Sequence, residues 1–182
     1  MTHPPRLQEA YNTTVVPAMK KTFGYTSNLA VPRLKKVVVN CGVGRIRDEK
    51  QLADIQKYLA LITGQKSSER RTRLSIASFK TRAGMVVGYA TTLRGRRMYD
   101  FLERLVASAI PRMRDFRGIP VSGIDQGGAL TIGIKEHIIF PETISEDIHM
   151  MFGLEVTIVT TGSSREESLE LFRLLGFPLQ HG

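Results

Sequence analysis

The chain has 182 residues, 42% of them apolar, and a formal net charge of +9. That length and composition suffice to bury a core without metal or disulfide support, and one domain spanning residues 1–182 is expected. A single cysteine, Cys41, excludes an internal disulfide and suits a reducing compartment. No apolar stretch approaches the ~20 residues that cross a bilayer. Residues 1–10 contain two prolines and lack the apolar run of a secretory signal, so a soluble cytoplasmic protein is expected.

In chain order, Leu7 to Phe23 predicts a first helix stopped by Gly24, with Pro17 as a kink or break. Val31-Pro32 restarts the chain extended, and the valine-rich run Leu34 to Cys41 predicts a strand ended by Gly42-Val43-Gly44. Asp48 with Gln51 three residues on gives a capping box. It opens a helix whose Leu52, Ile55, Leu59 and Ile62 share one face, and Gly64 stops it. Lys66–Arg73 and Met85–Arg94 are polar and extended, and Leu74–Gly84 between them has little apolar periodicity. The three predict a long hairpin with a mobile tip.

A third helix spans about Arg96 to Ile110, buries Met98, Phe101, Leu102, Leu105 and Ala109, and ends near Pro111. A loop over Arg117–Gly128, a strand near Leu130–Ile134 and another over Leu154–Thr161 follow. Ser164 and Glu167 form a second capping box on a last helix closed by Gly176 and Pro178. Interleaved strands and helices around a polar hairpin predict an α+β fold. Its core is one mostly antiparallel sheet with helices packed on one face.

Charge is segregated along the chain. Residues 1–118 carry 23 Lys and Arg against 8 Asp and Glu, whereas residues 119–182 carry 3 against 9. A polyanion-binding surface produces such segregation, because neutralised phosphates release counterions and supply affinity. A basic ribbon without a partner is the bland alternative. An anionic membrane surface ranks lower, since no helix sets a lysine-rich face against a wide apolar one.

The motifs that would carry chemistry fail on spacing. Gly42-Val43-Gly44 sits where a dinucleotide turn would, but the third glycine is replaced by Arg47. A strand-end turn needing positive φ, or close approach of a ligand backbone, explains it as well. Gly64-Gln65-Lys66-Ser67 resembles a P-loop end with Gln65 interposed and Leu59 where the first glycine belongs. His3, His137, His149 and His181 make no i,i+4 pair, so no metal site is expected, and His137 suits a core position better than a general base. No enzyme and no cofactor is expected.

Arg70, Arg71, Arg73, Lys80 and Arg82 occupy Arg70–Arg82 without an acidic residue. Phe79 among them either stacks on a base or sugar, or anchors the loop on the sheet. Asn40, Gln65, Thr91 and Thr92 are polar within or beside strands, and on a shared face they would offer donors and acceptors to RNA. Arg112, Arg114 and Arg117 form a second basic cluster, for RNA or for helix-end carbonyls.

Seven segments in order resemble those of the bacterial large-subunit ribosomal protein five family, the 5S rRNA-binding protein of the central protuberance. They are Phe23–Tyr25, Val31–Gly44, Ala60–Lys66, Ser78–Met85, Ile110–Ile119, Ile138–Glu142 and Leu174–Pro178. The resemblance covers nearly the whole chain and implies a curved sheet with helices on one face, RNA on the other, and a long protruding basic hairpin loop at about residues 73–84. It implies 5S rRNA binding through Asn40, Gln65 and Thr92, with Arg33, Lys36, Gly42, Lys66 and Arg94 on the same surface. Arg73, Ser75, Ser78, Phe79, Lys80 and Arg82 of the loop would meet tRNA in the peptidyl site. Further implied partners are 23S rRNA, a small-subunit head protein forming an intersubunit bridge, and neighbouring central-protuberance proteins. The chain departs from the family at Ser68 and Arg70, and at Leu74 and Ala83 where basic residues are usual.

Overall fold

The computed structural model describes residues 6–143 and 150–180, except the side chain of Phe79. In chain order its helices and strands are α1 (Arg6–Ala10), α2 (Val16–Phe23), β1 (Leu34–Gly42), α3 (Glu49–Thr63), β2 (Ser68–Arg71), β3 (Val86–Leu93), α4 (Gly95–Arg104), β4 (Leu130–Ile134), β5 (Leu154–Thr160) and α5 (Arg165–Leu174). The strands form one five-stranded antiparallel sheet in the order β2-β3-β1-β5-β4, and the fold is α+β as expected.

The chain groups into two compact units, each built from separated segments. Unit 1 comprises Met1–Val37, Leu93–Ile132 and Thr157–Gly182. Its core is helical: Val15 and Met19 near the N-terminus, Met98, Phe101 and Leu102 of α4, and Leu171 and Phe172 of α5 are all buried. Between α1 and α2 the chain widens into a π turn, Tyr11–Val15, and Pro17 then sits in the first turn of α2. Proline lacks the N–H that a continuous α-helix would need there, and the first turn of a new helical segment is where that loss is harmless. The expected break is therefore a change of helix type. α4 likewise passes into a π turn, Leu105–Ala109, before Pro111.

Ser164 caps α5 by accepting from the Glu167 N–H at 3.2 Å. The Glu167 carboxylate reaches back and accepts from the Ser163 N–H at 3.0 Å. Beneath this turn the hydroxyls of Thr160 and Ser168 lie 3.0 Å apart, and Thr160 donates to the Gly128 carbonyl at 3.2 Å.

Unit 2 comprises Val38–Thr92 and Gly133–Val156. Asp48 caps α3 by accepting from the Lys50 N–H at 3.0 Å, and Gly64 ends it with φ of +67°. Ile55, Tyr58, Leu59 and Ile62 of α3 are buried together with Val39, Cys41, Tyr89, Ile139 and Phe152. Burial pushes the Cys41 thiol up to about 11, so it stays protonated and unreactive at neutral pH. Tyr58, His137 and Phe152 make an aromatic cluster, with the His137 and Phe152 rings stacked at 4.1 Å. His137 is fully buried, a core residue as its apolar setting suggests.

β2 pairs antiparallel with β3, Ser68 opposite Ala90 and Arg70 opposite Gly88, and the register slips between Arg70 and Arg71. Pairing continues past the strands through Thr72 to Met85 and through reciprocal bonds between Ile76 and Thr81. A 3-10 turn, Ala77–Phe79, follows Ile76, and Lys80 takes a φ of +50°. Arg47 donates to the Lys80 carbonyl at 2.9 Å and to the Met85 sulfur, tying this segment to the chain after β1.

Candidate nucleic-acid interface

Within β1, Val37, Val39 and Cys41 are buried while Asn40 and Gly42 are exposed and Lys36 is half-buried. Side chains alternate between faces along a strand, so Lys36, Asn40 and Gly42 share the face opposite the buried one. On β3 the same alternation separates the two neighbouring threonines. Thr91 is 2% exposed and turned inward, and only Thr92 is partly open. The suggestion that both serve one surface is thereby corrected: adjacent strand residues cannot point the same way.

Gln65 follows the helix stop and is brought to β3, where its carboxamide donates to the Thr92 carbonyl at 3.4 Å. Thr63 supports that corner, donating to the carbonyls of Leu59 at 2.7 Å and Gln65 at 2.9 Å. Lys66 beside them is exposed. Asn40, Gly42, Gln65, Lys66 and Thr92 all belong to unit 2, whereas Arg33, Lys36 and Arg94 belong to unit 1. Arg33 and Arg94 are exposed.

Asn40 and Gly42 line a shallow concavity of about 430 Å³ with Gly133, Lys135, Gly153 and Glu155. Three glycines leave backbone uncovered there, so a ligand chain could approach closely and meet amides and carbonyls directly. Nothing in the sequence pointed to Gly133, Lys135 or Gly153. They come from the acidic third and reach Asn40 only through the sheet. A second concavity of the same volume, lined by Arg47, Glu49, Leu52, Gln56, Glu69 and Tyr89 among others, is less suited to phosphate, because two carboxylates border it.

Along the segment joining β2 and β3, Arg73, Ser75, Ser78, Lys80 and Arg82 are exposed, as are Leu74 and Ile76. The Ser75 hydroxyl accepts from the Ala83 N–H at 2.9 Å, and Thr72 donates to the Arg82 carbonyl. Whether Phe79 stacks or anchors lies outside the described residues. Arg71 is drawn to Glu69 at 2.7 Å, so the base of the segment is less positive than its arginine count suggests. Arg112, Arg114 and Arg117 are exposed beyond α4.

Of the two alternatives for Gly42-Val43-Gly44, positive φ is not found. Neither glycine adopts it, and a Cβ on Gly44 would make only an ordinary contact with Val87 at 3.7 Å. Within the chain a close approach occurs at Gly88, where a Cβ would lie 3.1 Å from the Cys41 carbonyl. Among the described residues no cluster of three or more His, Cys, Asp or Glu could hold a metal ion, and no helix is long and apolar enough to cross a membrane.

Residues 27–82 match the family described as Ribosomal protein L5, and residues 86–179 match the ribosomal L5P family C-terminus. The chain belongs to the ribosomal protein L5 family. It is 45% identical over 174 residues to the large ribosomal subunit protein uL5 of Streptococcus pyogenes serotype M49 (strain NZ131), covering 95% of this chain and 97% of that protein. The same figures hold for its counterpart in Streptococcus pyogenes serotype M5 (strain Manfredo). Membership of the L5 family makes this chain an RNA-binding structural component of the ribosome and not an enzyme. The failed dinucleotide and P-loop spacings agree with that.

Proposed function

We propose that this chain acts as one RNA-binding domain of the large ribosomal subunit that holds 5S rRNA and helps attach it to 23S rRNA in the central protuberance. The observations that support the reading are the Gln65–Thr92 hydrogen bond and the exposed Asn40 of the same unit. A fixed carboxamide, a hydroxyl and a second carboxamide supply both donors and acceptors to sugars and base edges. Lys66 of the same unit adds positive charge that phosphates require, and the reading assigns Arg33, Lys36 and Arg94 of unit 1 to phosphates as well.

The second part of the reading assigns Arg73, Ser75, Ser78, Phe79, Lys80 and Arg82 to tRNA in the peptidyl site. Exposed cations on a hydrogen-bonded loop, without an acidic residue between Arg70 and Arg82, support it. Contacts with a small-subunit head protein and with neighbouring central-protuberance proteins complete the proposed partners, in the cytoplasmic ribosome.

Gel-shift competition tests the central claim: 5S rRNA should outcompete a large excess of bulk tRNA. The log–log salt dependence should be steep, with a slope near −0.7 per phosphate contacted at single-stranded sites. Equal affinity for arbitrary RNA rejects specific 5S recognition.

A further inference from the structure

The concavity lined by α3, β2 and β3 lies wholly within unit 2 and has a volume of about 430 Å³. Half-buried Leu52, Met85 and Val86 and buried Tyr89 give it apolar walls, and the exposed Glu49 and Glu69 border it. We propose that this cleft holds a lysine or arginine side chain from an extended basic tail of a partner protein. The inference goes beyond the 5S and tRNA readings and rests on neither.

Charge selects the partner. The chain carries +9 overall, yet this cleft sets two carboxylates against one cation. That cation, Arg47, is engaged elsewhere, donating to the Lys80 carbonyl at 2.9 Å and to the Met85 sulfur at 2.7 Å. Glu69 is paired with Arg71, but both contacts, at 2.7 and 3.1 Å, fall on Oε2. A carboxylate offers about four acceptor sites over its two oxygens, so Oε1 keeps capacity for a second cation. A phosphate entering the cleft meets repulsion, whereas an ammonium or guanidinium meets attraction.

The walls select a long side chain. Lysine and arginine lay their methylene stems on apolar surface while the charged head stays near water and carboxylates. Leu52, Met85 and Val86 supply that surface, and Glu49 and Glu69 supply the anions.

Tyr89 adds a handle for the main chain. It is only 4% exposed, and its hydroxyl bonds to no described residue. Burial raises its pKa and the Glu69 charge adds to that, so the phenol stays protonated and can donate. The main-chain carbonyl of an extended segment is an acceptor that fits it. β2 is an edge strand with all four residues exposed, so a tail can approach from that side. The register slip between Arg70 and Arg71, and the arginines themselves, disfavour pairing as an added strand. Insertion of a side chain remains.

The test uses the full chain and fluorescence anisotropy with one labelled peptide, Gly-Lys-Ser-Val-Gly-Lys-Ser-Val. Two counterparts replace its lysines by norleucine, which keeps the stem without the charge, or by glutamate. Glu49→Gln, Glu69→Gln and Tyr89→Phe should each weaken lysine-peptide binding about three- to tenfold. Ala53→Arg, on an exposed lining position of α3, should abolish it by placing a cation in the cleft. Glu166→Gln removes the same charge from α5 of unit 1 and should change nothing. The norleucine and glutamate peptides should bind at least tenfold more weakly than the lysine peptide. Circular dichroism and melting temperature check that each variant folds, and Ala53→Arg serves where Tyr89→Phe does not.

Absence of saturable binding up to about 1 mM lysine peptide overturns the proposal. An equal loss with Glu166→Gln overturns it too, because the attraction is then unspecific. Undiminished binding in both glutamine variants, or equal binding of the norleucine peptide, has the same force. A fall in 5S rRNA affinity with Tyr89→Phe would give the cleft to RNA, and self-association lost in Ala53→Arg would give it to a second copy. Either result overturns a basic tail as the occupant.

Discussion

The imidazole of His137 lies flat on the ring of Phe152, centroids 4.1 Å apart and planes 8° from parallel. Tyr58 closes the cluster, with its ring 5.2 Å from that of His137. Burial disfavours the charged imidazolium, so the His137 pKa falls below its ordinary 6.5. At pH values between the lowered folded pKa and the unfolded value, the unfolded chain binds more protons. Stability should therefore be full above about pH 6.5 and decline as pH falls from there towards the folded pKa. Urea melts between pH 5 and 8 should show that decline, and His137→Phe should remove that part of the slope. A His137→Phe protein with an unchanged slope would move the titration elsewhere.

Asn40 and Thr92 are expected to act on RNA rather than on the fold. Changing either to Ala should weaken 5S rRNA binding about three- to tenfold, the worth of one hydrogen bond, with little effect on the urea midpoint. Glu155, in the concavity with Asn40, opposes phosphate, so Glu155→Gln should strengthen binding. Replacing residues 74–83 by a short turn should leave 5S affinity intact. Gel shifts on all four proteins decide the matter, and loss of 5S binding on loop removal would overturn the division between the two surfaces.

Two glycines should respond in opposite ways. A Cβ on Gly42 meets nothing within 4 Å and Gly42 has no positive φ. Gly42→Ala should fold normally and lose RNA affinity through the blocked approach. Gly128 has a φ of +77°, and a Cβ there would collide with the Ser168 hydroxyl. Gly128→Ala should cost roughly 2 to 4 kcal/mol, from left-handed strain plus overpacking. Thermal melts paired with gel shifts separate the two outcomes.

The α5 cap is a stability element with no expected RNA role. Ser164→Ala removes the acceptor of the Glu167 N–H and should cost about 1 kcal/mol. Chemical denaturation measures it. Ser164→Asp, which keeps an acceptor at the same place, should restore most of the loss.

By itself the sequence determined the elements that depend on local chemistry. The caps at Asp48 and Ser164, the stops at Gly24, Gly64 and Gly176, and the buried stripes of α3 and α4 follow from spacing within one segment. The motif order and the segregated charge carried the family and its RNA-binding class. Periodicity inside a segment could not say what lies beside it. Only the tertiary structure turned Thr91 inward and left Thr92 open, stacked His137 on Phe152, and set Gly133 and Lys135 of the acidic third beside Asn40. It also joined Tyr11 and Arg33 in one pocket, although a helix and a strand restart separate them in sequence. Cross-strand register and packing between distant segments fix those neighbours, and neither leaves a mark within about ten residues of any one of them.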